Sequence, residues 1–242
     1  MNRGFIFWVP VTVVVSSIVF VYFSTLFVFI ERWFGLLTSP GIMNVVSFTS
    51  FTVMRALNYI FAITMDPGRV PSTFLPFCFP TLPDFEDSSF VVHEIQRKGG
   101  DLTYCPKCSH FKPPRAHHCF VCKICLLRMT CDRHFIWINN CVGHANYKVF
   151  FIFLVYAEIA CIYSLVLLVG SLTNDSQSDE RQSTVSFGII YVVFGLLLLP
   201  LSLALSVLLG WHTYLILQNK TTIEAMRILF AEFMLIFNLI PT

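Results

Sequence analysis

Residues 104–150 read YCPKCSHFKPPRAHHCFVCKICLLRMTCDRHFIWINNCVGHANYKVF. Cys105 and Cys108 form one C-x2-C knuckle, and Cys119, Cys122 and Cys125 make two overlapping ones. Two-residue spacers let both thiolates of a knuckle reach one ion, and tetrahedral zinc takes four nitrogen or sulfur ligands. Cys105, Cys108, His118, Cys119, Cys122, Cys125, His134 and Cys141 supply eight donors, enough for two Cys3His sites. A segment this polar has little else to pack, so metal binding becomes its folding free energy. A zinc ion closed by four protein ligands leaves no position for water, so two structural zinc ions are expected. His110, His117, His144 and Cys131 are left over, as loop residues or neighbours of the ligands.

This segment interrupts a membrane protein. Of 242 residues, 56% are hydrophobic and 12% charged, half the charged fraction of a soluble domain, which is about 25%. Four apolar runs reach the ~20 residues that a helix needs to cross a bilayer: about 4–30, 41–65, 149–172 and 185–217. The first exceeds a secretory h-region and ends in no small-residue cleavage site, so it is a retained span. The chain then divides into a transmembrane hairpin (1–65), a cytosolic cysteine-rich zinc domain (66–148), a second hairpin (149–217) and a short tail (218–242). The expected fold is an α-helical polytopic membrane protein, with the zinc domain between the second and third of four transmembrane helices.

Loop 66–148 carries ten of the Lys and Arg residues, whereas the loops at 31–40 and 173–184 carry one each, Arg32 and Arg181. Positive loops stay in the cytosol, which places both termini and the cysteines there. In that reducing compartment metal is a better reading than disulfides for the seven of nine cysteines between Cys105 and Cys141. A nucleic-acid role fits poorly, because the loop is tethered to the membrane and its bases alternate with acids. Pro67 and Gly68 stop the second span, and residues 71–101 read as an extended linker. Thr221-Thr222-Ile223-Glu224 has the form of a capping box. Arg55 and Glu158 lie within spans, either as functional groups or as inter-helix contacts, and His212 reads as an interfacial residue.

Taken together these motifs resemble the DHHC-type protein S-acyltransferases (palmitoyltransferases), particularly plant-like members, over almost the whole chain to about Glu224. Cys105 to Cys125 follow the family's C-x2-C-x9-H-C-x2-C-x2-C without a gap, and Cys141, Asn146 and Phe150 follow its C-x4-N-x3-F. Asp66-Pro67-Gly68 is similar to its DPG motif, and Thr221, Thr222 and Glu224 to its TTxE motif. The resemblance implies two-step transfer of a fatty acyl group from acyl-CoA, such as palmitoyl-CoA, through a motif cysteine to cysteines of cytosolic or membrane-anchored proteins. In the implied mechanism the first motif histidine activates the thiol, the aspartate orients it and the second histidine binds zinc. It also implies an endomembrane location: ER, Golgi or plasma membrane.

The Asp-His-His-Cys motif itself is degenerate. Counting back from Cys141 places it on Asp132-Arg133-His134-Phe135, which keeps the orienting Asp132 and the zinc-binding His134. The base position holds Arg133, which does not deprotonate in a protein, and the nucleophile position holds Phe135, which has no nucleophilic atom. Counting forward from Cys125 places the motif on Thr130-Cys131-Asp132-Arg133, because two residues are inserted. The first alignment is preferred because it preserves the last ligand pair. Cys131 is a substitute nucleophile only if Arg133 favours its thiolate and the site tolerates a four-residue displacement. The ending AMRILFAEFMLIFNLIPT departs from the family and reads as a truncated tail or misread frame, its apolar residues suited to a membrane surface. Two functions therefore compete: an impaired S-acyltransferase, and an inactive membrane adaptor that binds substrates or other acyltransferases.

Overall fold

The computed structural model describes residues 3–71, 103–113, 115–127, 134–177 and 181–239. Helix α1 (Arg3–Ser24) runs through a π-helical turn at Thr25–Ile30 into a last turn at Glu31–Trp33, and α2 (Ser39–Thr64) follows. Two short hairpins come next, β1 (Thr103–Cys105) with β2 (His110–Lys112), and β3 (His117–Cys119) with β4 (Ile124–Leu126), both antiparallel. Helices α3 (Tyr147–Gln177), α4 (Arg181–Leu217) and α5 (Thr222–Leu239) complete the chain. Two compact units result, Met1–Ile63 with Lys148–Tyr214, and Thr64–Tyr147 with Leu215–Thr242.

The first unit holds most of the four candidate membrane spans, Trp8–Trp33, Ser39–Thr64, Tyr147–Asn174 and Gly188–Leu217. At 26 to 30 residues each, these helices exceed the ~20 needed for a hydrocarbon core about 30 Å thick. Proline is tolerated inside α1 (Pro10) and α4 (Pro200) because neighbouring helices and local adjustments satisfy the freed backbone group. Large side chains fill the centre: Phe29, Ile30, Phe48 and Leu198 are fully buried. The Phe29 ring meets Phe194 edge-on at 5.3 Å, while Phe48 stacks on Tyr163 at 5.7 Å. Leu196, Leu203 and Val207 of α4 are exposed, as lipid-facing residues are.

Polar groups in this unit act as inter-helix contacts. The Thr25 and Ser164 hydroxyls, both fully buried, hydrogen-bond at 2.9 Å. Glu158 is buried on α3, and its Oε1 accepts from Ser202 Oγ at 3.1 Å and Ser206 Oγ at 2.6 Å on α4. Arg55 is buried on α2 and donates from a terminal guanidinium nitrogen to the Ile18 carbonyl of α1 at 3.4 Å. His212, read from the sequence as an interfacial residue near the end of a span, is 2% exposed, with its ring against Phe150 at 5.3 Å. Hydropathy places a residue along a span but not around the helix, and this face of α4 points inward.

Deleting the Glu158 contact tests its weight. Glu158→Ala should lower stability in detergent by about 1–2 kcal/mol, the scale of intramembrane hydrogen bonds, as read by thermal unfolding. Ser202→Ala with Ser206→Ala, added to Glu158→Ala, should then cost almost nothing more, because the shared contact is already gone.

Candidate functional site

Hairpin geometry sorts the eight predicted ligands into two clusters. Successive strand residues face opposite sides, so His118 and Cys119, adjacent on β3, are aimed apart. His118 pairs in register with Cys125 on β4, and the two join Cys105 and Cys108 in the first cluster. Cys119 joins Cys122, His134 and Cys141 in the second. The residue after Cys108 and the residue after Cys122 take a left-handed conformation, Ser109 at φ 55° and Lys123 at φ 57°, which turns the chain into the return strand of each hairpin.

The donor spacing matches a tetrahedral ion. Metal bonds of about 2.3 Å to sulfur and 2.0–2.1 Å to nitrogen imply donor–donor edges of about 3.5–3.8 Å. In the first cluster, His118 Nδ1 lies 3.2 Å from Cys108 Sγ and 3.7 Å from both Cys105 and Cys125 Sγ. In the second, Cys141 Sγ lies 3.2 Å from Cys119 Sγ, 3.4 Å from Cys122 Sγ and 3.9 Å from His134 Nδ1. His134 Nε2 meets Asn139 Oδ1 at 3.1 Å, a contact that orients the ring and leaves Nδ1 for an ion.

Electrostatics favour a cation at both centres. Burial, then Cys105 and Cys108, pushes Cys125 up to about 12, and burial, then Cys119 and Cys122, pushes Cys141 up as well. Burial would also raise Cys105, but hydrogen bonds led by the Cys108 N–H outweigh it and lower its pKa. Burial, then Lys107 and Lys112, holds His118 below the ordinary imidazole range, keeping it in the neutral form that ligates. A dication reverses the cost of placing several thiolates together.

The residues around these clusters come from four parts of the second unit. The Phe135 N–H donates to the Asn140 carbonyl at 3.0 Å, and Asn139 is left-handed at φ 47°. This tight loop returns the chain so that His134 and Cys141 reach one centre. Phe135 is half-buried at its start, between His134 and the exposed Ile136 and Trp137. Cys131, Asp132 and Arg133 lie outside the described residues, as does the 71–101 linker beyond residue 71.

Asp66, Pro67 and Gly68 dock the chain leaving the second span onto β4. The Val70 N–H donates to the Cys125 carbonyl and the Leu127 N–H to the Gly68 carbonyl, both at 2.9 Å. Gly68 has φ +94°, and a Cβ on Gly143 would lie 2.2 Å from the Pro67 carbonyl oxygen, so both positions need glycine. Asp66 caps this turn, accepting from the Gly68 N–H at 2.8 Å and Arg69 Nε at 2.6 Å. Burial opposes ionisation of Asp66, but these two partners outweigh it and lower its pKa. Asn146, fully buried, donates to the Cys141 carbonyl at 2.8 Å and accepts from the Gly143 N–H at 2.9 Å.

Thr221 and Glu224 close the expected capping box: the Thr221 N–H reaches Glu224 Oε2 at 2.8 Å and the Glu224 N–H reaches Thr221 Oγ1 at 3.3 Å. Sequence reasoning missed what else Glu224 does. Arg115, left-handed at φ 68°, grips its carboxylate with Nε and a terminal nitrogen, both at 2.6 Å, and also holds the Asn219 carbonyl. The Arg115 guanidinium, against opposing burial, lowers Glu224 to about 2. With the partners 109 positions apart in sequence, only the unusual backbone at Arg115 marks the contact locally.

A folded pKa near 2, below the ordinary glutamate value of 4.5, stabilises the fold fully above 4.5 and loses that contribution as pH falls through 2. The pair is about a third exposed, so Glu224→Gln should cost about 1 kcal/mol at pH 7, discounted for solvent screening. The gap in melting temperature between the two proteins should narrow between pH 5 and pH 3, where thiol and imidazole protonation weakens both alike.

The assembly has relatives. A family model described as DHHC palmitoyltransferase matches residues 98–228. The chain is 60% identical over 223 residues to probable protein S-acyltransferase 16 of Arabidopsis thaliana, across 92% of this chain and 75% of that one. It is 42% identical over 205 residues to probable protein S-acyltransferase 15 of the same plant, across 85% and 75%. Palmitoyltransferase ZDHHC2 of Homo sapiens is 32% identical over 184 residues, across 69% of this chain and 47% of that protein. With the Cys/His clusters between the second and third of four membrane-length helices, the chain belongs to the DHHC palmitoyltransferase family.

Proposed function

We propose that the chain carries the scaffold of a protein-cysteine S-palmitoyltransferase with impaired chemistry. The family reaction moves a fatty acyl group from acyl-CoA to cysteines of membrane-associated proteins. In its first step a thiolate sulfur forms a thioester with the acyl carbon, the carbon–sulfur bond to CoA breaks, and the CoA thiol takes up a proton. Phe135 carries the reading: it follows His134 of the second cluster, in the nucleophile position, and has no atom that can attack. Arg133, in the base position, cannot accept the thiol proton, and Asp132 has no imidazole there to orient.

The eight clustered donors fit two structural zinc ions, three sulfurs and one nitrogen each at tetrahedral spacing. When bound, zinc would hold the hairpins together and leave no site for substrate. Intact ligation beside a disabled centre favours a second reading, a non-enzymatic membrane adaptor that binds substrate proteins, acyl-CoA or another acyltransferase. In either reading the excess of basic residues on the 66–148 loop sets that loop and both termini in the cytosol, on an ER, Golgi or plasma membrane.

Zinc can be counted. Purified protein should contain two zinc ions per chain by elemental analysis, and Cys125→Ser should lose at least one. Chelation should unfold the cysteine-rich segment, seen as protease sensitivity between residues 103 and 147, and zinc release should steepen as pH falls and thiols reprotonate.

Chemistry is tested by incubation with labelled palmitoyl-CoA and release of label by hydroxylamine. This chain should take up none, and Arg133→His with Phe135→Cys should restore labelling. Label on the unaltered chain that disappears in Cys131→Ser would instead identify a relocated nucleophile and a working enzyme.

A further inference from the structure

Helix α5 begins five residues after Leu217 ends the fourth span. Its first turn is fixed by the capping box and by Arg115 on Glu224, and Ala225 is buried. Beyond that turn every side chain from residue 226 to 235 is exposed, and seven of those ten are large and apolar, Phe230 at 66% among them. A soluble monomer rarely leaves so continuous an apolar surface in water.

The pattern around the helix is directional. At ~100° per residue, Met226, Leu229, Phe230, Phe233 and Met234 share one arc of about 140°. Arg227 and Glu232 fall outside that arc, on either side, and the opposite face between them holds Ala231, Leu235 and Ile228. The neighbouring surface is already lipidic, since Ile216 and Leu217, at the end of the fourth span and in the same unit, are 44% and 78% exposed.

Crossing the bilayer is the poorer arrangement. Among the described residues α5 is not one of the helices apolar enough to cross a membrane. Glu224, Arg227 and Glu232 would enter the membrane, Glu232 near its centre, where an acidic side chain is costly.

We propose that α5 lies in the plane of the bilayer interface, in the leaflet where the fourth span ends. The Met226–Phe230–Met234 arc sits among the acyl chains, and Arg227 and Glu232 face headgroups and water. The Arg115–Glu224 clamp ties the first turn of this helix to the metal-binding region of the same unit. This placement depends on neither zinc nor acyl transfer.

A photoreactive benzoylphenylalanine is introduced into the full chain at Phe230, Met234, Arg227 or Ala231, and the protein is irradiated in phosphatidylcholine–phosphatidylserine nanodiscs. Phospholipid adducts should be several-fold more abundant at 230 and 234 than at 227 and 231. Equal adducts at all four, or cross-links from 230 and 234 to a second copy or to this chain, would overturn the proposal. In sealed vesicles, a C-terminal tag and an epitope inserted at 178–180 should face opposite sides; a shared side would mean that α5 crosses the membrane.

Discussion

Two adjacent residues on one three-residue strand organise the second unit. His118 and Cys119 face opposite sides of β3, so each starts a separate cluster, and each cluster gathers ligands from chain that would otherwise be unrelated. The first ties both hairpins together through Cys105, Cys108 and Cys125, and the second reaches past the motif loop to His134 and Cys141. Strands of three residues bury too little to stand alone, so the metal-binding donors take the part that a hydrophobic core plays elsewhere. The DPG turn docks on β4, and the TTxE box is held by Arg115, just after the first hairpin.

This arrangement places one histidine of the motif among the ligands and leaves position 135 outside them. The second cluster uses His134 of the motif and the backbone loop from Phe135 to Asn140. It makes no use of a side-chain atom at position 135, so phenylalanine there does not disturb the ligands. The proposed nucleophile position is thus separable from the ligand set of the second cluster.

Much of this is legible in the sequence, for specific reasons. Apolar runs of membrane length with at most one charge suit a bilayer and little else, and knuckles with two-residue spacers identify metal ligands by chemistry alone. The division of those ligands is not legible, because Cys119-x2-Cys122-x2-Cys125 is compatible with either pairing until the register of β3 with β4 is known. The Arg115–Glu224 clamp joins residues 109 apart, and His212 is buried because of its direction around α4, which hydropathy does not encode. For Arg55 and Glu158 the sequence already puts an inter-helix contact ahead of a functional role, and their partners on α1 and α4 support that contact.

Native mass spectrometry of the intact protein after exposure to palmitoyl-CoA reads the proposed scaffold and its missing acyl-transfer chemistry at once. A chain carrying two zinc ions and no covalent palmitoyl increment is expected. A zinc-free folded chain, or a zinc-loaded chain bearing a covalent palmitoyl group, would contradict that expectation.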